Sequence, residues 1–137
     1  MQALIASPDF WEAINKNFGR SGGVYTLSCV QNDDSMRPTP VQRLLGEDAD
    51  GVLYIGMATS FLDRVIQLKK SLSPEHVSQG HECGVRHKQH VQIAQAFPYE
   101  RLMVSFTVSE APREAEQQAL QHYLNRFGEL PPLNRAG

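Results

Sequence analysis

The stretch GVLYIGMATSFLDRVIQL, residues 51–68, narrows the folds open to this chain more than any other. VLYIG (52–56) is a short, continuous apolar run of the kind that makes a central strand, and at Gly56 the chain turns towards a helix. Thr59 or Ser60 supplies the N-cap, and the helix runs to about Leu72. A buried strand that hands over directly to a helix calls for a sheet with helices packed on it.

Two further strands fit that sheet. GVYTLSCV (23–30) alternates and is rich in β-formers, and RLMVSFTV (101–108) reads the same way. Ser7-Pro8-Asp9 gives a cap and a first-turn proline for a helix to about Phe18, and Pro112 opens a last helix ending at Gly128. A short helix is expected from about Val85 to Phe97. Residues 31–50 are polar and broken by Pro38 and Pro40, which predicts a long inserted loop with few internal contacts. The expectation is one α/β (α+β) domain over residues 1–137: a small three-stranded, mainly antiparallel sheet flanked by helices, with 23–30 and 52–56 paired as a hairpin. Residues 1–20 are read as an N-terminal helical extension.

A chain of 137 residues can bury a core without staples. Its formal charge of −2 argues against nonspecific coating of nucleic acid and leaves room for a local basic cleft. No apolar run is long enough to span a bilayer, and residues 1–20 do not read as a secretory signal. Cys29 and Cys83 are expected as thiols in a cytoplasmic protein with no membrane partner.

Two charges sit against apolar faces. On a helical wheel Phe61, Leu62, Val65, Ile66, Leu68 and Leu72 form one stripe, with Arg64 on its flank and Asp63 and Gln67 outside it. In the last helix Ala119, Leu120, Tyr123 and Phe127 form the stripe, and Glu116 falls in its middle. A carboxylate there is costly unless it is paired or holds a metal. Periodicity leaves two readings open: a buried Arg64–Glu116 ion pair joining two helices, or a site in which Glu116 holds a cation and Arg64 a phosphate.

Further residues connect these two. Gly23-Val24-Tyr25 and Tyr54-Ile55-Gly56 are the paired strand tripeptides, Arg64 follows Tyr54 by ten residues, Glu116 precedes Tyr123 by seven, and Asn134 closes GELPPLN. In these positions and their order the chain resembles the GIY-YIG nuclease family, over residues 22 to 135. The resemblance implies hydrolysis of a phosphodiester bond in nucleic acid, DNA first, with one Mg2+ or Mn2+. It implies Glu116 as the single protein ligand of that metal, Arg64 on the scissile phosphate, and Tyr25 and Tyr54 orienting or deprotonating the attacking water. Asn134 would tether the C-terminal turn. Where one branch of the family has a lysine after YIG, this chain has Met57, and where others have tyrosine or histidine four after the arginine it has Leu68. His81 is the residue expected to fill the base role, as other branches carry a histidine after this helix.

The family's modules are commonly fused to a DNA-binding domain. Targeting is therefore expected from a homodimer, a partner protein or the 31–50 loop. The run His81, Cys83, His87, His90 also raises a structural zinc, at a spacing that matches no standard site. Two alternatives to a nuclease remain: a non-catalytic nucleic-acid- or protein-binding module of the same fold, and a structural domain with a buried ion pair.

Overall fold

Six of the seven residues of the strand Gly23–Cys29 are buried, which places it inside a sheet rather than at an edge. The computed structural model describes residues 1–73, 82–89 and 91–134. Within them the elements run β1 (Gln2–Leu4), α1 (Phe10–Phe18), β2 (Gly23–Cys29), β3 (Val41–Arg43), β4 (Gly46–Asp48), β5 (Val52–Ala58) and α2 (Phe61–Leu72). They continue with α3 (Glu82–Gln89), α4 (Val91–Ala96), a 3-10 turn at Tyr99–Arg101, β6 (Leu102–Val108) and α5 (Pro112–Phe127). The main sheet is antiparallel in the order β1-β6-β2-β5, so the architecture is mixed α and β.

The sheet has four strands, not the expected three. β1 pairs Gln2 with Ser105 and Leu4 with Met103, outside β6. Three residues reading Gln-Ala-Leu carry no β pattern of their own, and the partner strand, not local propensity, makes them extended. Residues 1–20 are therefore a strand and a helix rather than a helical extension, and α1 starts at Phe10 behind Asp9.

The 31–50 segment is also more ordered than expected. β3 and β4 form a hairpin of their own, with Val41 opposite Asp48. β2 and β5 are antiparallel neighbours, as anticipated, but they are joined through this second hairpin rather than by a plain loop. Its contacts are numerous: Arg43 Nη1 donates to Glu129 Oε1 at 3.0 Å and to the Leu130 carbonyl at 3.1 Å. The Leu44 N–H reaches Glu129 Oε2 at 2.7 Å. The single helix expected over 85–97 is two, α3 and α4.

Each face of the sheet has its own core. On one, Tyr25 and Leu27 pack with Phe10 and Ile14 of α1 and Phe61, Val65, Leu68 and Leu72 of α2. On the other, Val24 and Ile55 meet Tyr123 and Phe127 of α5. The β2–β5 register slips between Leu27 and Ser28, where two residues of β5 oppose one of β2. That bulge breaks the alternation, so the consecutive Leu53 and Tyr54 both pack into the α2-side core. Among the described residues no helix is long and apolar enough to cross a membrane.

Candidate active site

Tyr25 and Tyr54 stand on adjacent strands, one diagonal step apart, because Tyr25 pairs with Gly56 and Leu27 with Tyr54. Their ring centroids are 6.1 Å apart, tilted by 41°. Gly56 makes this approach feasible. A Cβ there would lie 2.6 Å from Cζ and from the hydroxyl oxygen of Tyr25, and 2.7 Å from Cε1 of Tyr54. The glycine is thus inside β5, as a floor for two rings, and the strand continues to Ala58 before α2 begins. Gly23 has a comparable duty at the start of β2: its φ is +155°, and a Cβ would meet the Thr107 carbonyl at 2.0 Å.

Gly56→Ala should therefore lower the urea midpoint by an amount equivalent to about 1–3 kcal/mol, the usual cost of overpacking a filled site. Equal midpoints for variant and parent would show that the rings can slip aside.

The Arg64 guanidinium, on the second turn of α2, hydrogen-bonds towards the Tyr25 hydroxyl and is partly exposed. Its Nη1 donates to Gln67 Oε1 at 3.0 Å, one turn on. Glu116 comes from the opposite face of the sheet. Carried by the first turns of α5, it accepts a hydrogen bond from the Met57 N–H near the end of β5. Its charge is felt at Tyr54.

The carboxylate is half-buried rather than sunk in the core, because the stripe of α5 deepens only towards Tyr123 and Phe127. Nor is it half of a buried ion pair: among the described residues the ion pair within 4 Å joins Arg43 to Glu129. The structural reading of Arg64 and Glu116 as a salt bridge is set aside on that geometry.

Burial dominates the titration of all three acids. It raises the Glu116 carboxyl above the ordinary range, against the lowering fields of Arg113 and Arg64 and the Met57 N–H. Burial also pushes Tyr54 up to about 12, with Arg64 pulling the other way. Tyr25, almost fully buried, is raised further still by burial and by Tyr54, despite the same arginine. Both phenols thus stay protonated near neutral pH, able to donate hydrogen bonds and poorly able to take protons. Of the two roles expected for them, orienting water fits this environment.

Arg113, one turn before Glu116, was not singled out by the sequence, although its i, i+3 spacing could have revealed it. Any activity that needs Glu116 ionised should fall on the acid side through its raised pKa. Arg113→Ala removes the largest lowering influence, so the acid limb of a pH–rate profile should move to higher pH. An unmoved limb would exclude Glu116 as the group that titrates there.

Asn134 is brought to the open edge of β5. Its Oδ1 accepts from the Ile55 N–H and its Nδ2 donates to the Ile55 carbonyl, both at 2.9 Å. With the Leu133 N–H on the Leu53 carbonyl at 2.8 Å, the C-terminal turn covers the edge as a short extra strand would. Asn134 thus sits behind the tripeptide, where it fixes the strand that carries Tyr54 and Gly56.

His81 lies outside the described residues, as do His76 and His90. Of the histidine–cysteine run, Cys83 and His87 are described and both are buried, and neither Cys83 nor Cys29 is in a disulfide. His87 Nε2 lies 2.7 Å from the Phe97 carbonyl. Among the described residues no three His, Cys, Asp or Glu side chains gather as a metal-binding group. No family model, curated protein or solved structure matches the chain.

Proposed function

We propose that this protein is a metal-dependent endonuclease that hydrolyses phosphodiester bonds in DNA. One observation supports the reading above the others: Tyr25, Tyr54, Arg64 and Glu116, separate in sequence, converge from two strands and two helices on one end of β5. Arg64 is the phosphate-binding group, since its planar fork matches two non-bridging oxygens. Gln67 and Tyr25 hold two sides of that fork, so the guanidinium meets a phosphate already oriented. The protonated phenols of Tyr25 and Tyr54 donate towards the attacking water or the phosphate oxygens, and fix the line of approach.

Glu116 fits a hard divalent cation. It is a half-buried carboxylate whose negative charge is under-compensated, as its raised pKa reflects, and it is held in place by a backbone N–H. One carboxylate with water completing the shell is ordinary for Mg2+ or Mn2+. When bound, such an ion would stabilise the charge that develops on the leaving oxygen.

The test is incubation of the purified protein with supercoiled plasmid and manganese, against the same mixture with a chelator. Nicked or linear product only in the manganese arm is the expected result. Plasmid that is bound and left intact in both arms would favour a non-catalytic module of the same fold.

A further inference from the structure

An open groove of about 390 Å³ runs from the end of β5 along the first two turns of α2, lined by Met57, Ser60, Asp63, Arg64 and Gln67 among others. Its size is that of a small-ligand cleft. Arg64 belongs both to this groove and to the cluster around Tyr25, so whatever Arg64 holds has the groove as its immediate neighbour.

The lining is mixed in a specific way. Gln67 offers its amide N–H2, because its Oε1 is already taken by Arg64. Ser60 has a hydroxyl that makes no capping bond to α2. Asp63 adds a carboxylate that accepts hydrogen bonds and repels a second anion, and Met57 and Ala58 add apolar floor.

We propose that this groove is a nucleoside subsite: it takes the sugar and base attached to the phosphate held by Arg64. The inference rests on the nuclease reading for that phosphate. A nucleoside carries apolar faces together with donors and acceptors, and each has a counterpart here. A further backbone phosphate does not, since Asp63 opposes it. Gln67 therefore has two duties, one oxygen orienting Arg64 and one amide group facing the nucleoside.

The experiment uses 15N-labelled protein and a single-stranded DNA hexamer with phosphorothioate linkages, which keeps the backbone charge and resists cleavage. The hexamer should shift the Ser60 amide resonance together with those of Asp63 and the Gln67 side chain, whereas inorganic phosphate alone should perturb Arg64 and its hydrogen-bond partner Gln67 and leave the Ser60 amide unmoved. Ser60→Ala, which removes a groove hydroxyl and no cap bond, should weaken hexamer binding about fivefold, the worth of one hydrogen bond.

Hexamer shifts confined to Arg64 and Glu116, or equal shifts with phosphate alone, would overturn the subsite. Plasmid cleavage without groove shifts would leave the nuclease standing and remove the subsite. Groove shifts without plasmid cleavage would keep the subsite and remove the nuclease.

Discussion

Glu116→Gln should reduce manganese-dependent plasmid cleavage to background while the melting temperature holds or rises. The two halves of that outcome come from one cause. Burial raises the Glu116 carboxyl above its ordinary value, so the ionised form is less favourable in the fold than in the unfolded chain. The stability linked to this group is fully present below its unfolded pKa and is lost as pH rises through the folded one. At neutral pH the ionised carboxylate is therefore a net burden, and glutamine, which keeps the shape of the neutral acid, lifts it.

Function moves the other way, since a neutral amide is a poor ligand for a hard cation. A second readout follows: millimolar manganese should raise the melting temperature of the parent and not that of the variant, because a ligand that binds only the folded state stabilises it. Cleavage by Glu116→Gln at the parent rate would sink the mechanism. Unfolding of the variant would point instead to a structural carboxylate, a role for which Glu116 has no ion-pair partner within 4 Å among the described residues.

The parts of this molecule that sequence made visible are those whose signal is local. β2, β5 and β6 each carry enough β-branched and aromatic residues to declare themselves, and α2 and α5 have both a stripe and an end signal, Ser60 for one and Pro112 with Gly128 for the other. What escaped depends on partners distant in sequence. β1 is a strand only because β6 lies beside it. The β3–β4 hairpin has strands of only three residues with no alternating pattern, and it is fastened by Glu129 and Tyr123, about eighty residues further along the chain. In the candidate site, Arg64 and Glu116 stood out as charges on apolar faces, whereas Gln67 and Arg113 look like ordinary solvent-facing residues, although each lies one turn from its partner on the same helix and that spacing was legible. Gly56 showed as a turn signal, and its reason, two tyrosine rings over a bare backbone, is tertiary.

The largest effect on stability is expected at Asp48, the residue that ties the hairpin, β5 and α5 together. Its side chain is almost fully buried. Oδ2 accepts from the Tyr123 hydroxyl at 2.8 Å and from the Val52 N–H at 3.0 Å, and Oδ1 accepts from the Asp50 N–H at 3.0 Å. Asp48→Ala strands all three donors. Water can reach Asp50, but the Tyr123 hydroxyl is enclosed, and a buried donor without an acceptor costs about 1–3 kcal/mol. With the Val52 contribution the variant should lose about 3 kcal/mol in urea unfolding.

Tyr123→Phe removes one donor along with its need for an acceptor, and should cost about 1 kcal/mol. Made in the Asp48→Ala background, it should restore stability rather than subtract more, since it deletes the stranded hydroxyl. That non-additivity is the mark of a direct bond between the two. Strict additivity of the pair, or an Asp48→Ala protein within about 0.5 kcal/mol of the parent, the ordinary range for an uninvolved surface change, would show that the hairpin is held elsewhere. Because Tyr123 and Glu116 share α5 two turns apart, the same variant should also impair cleavage at temperatures where it remains folded. Tyr123→Phe in that background should recover part of the loss.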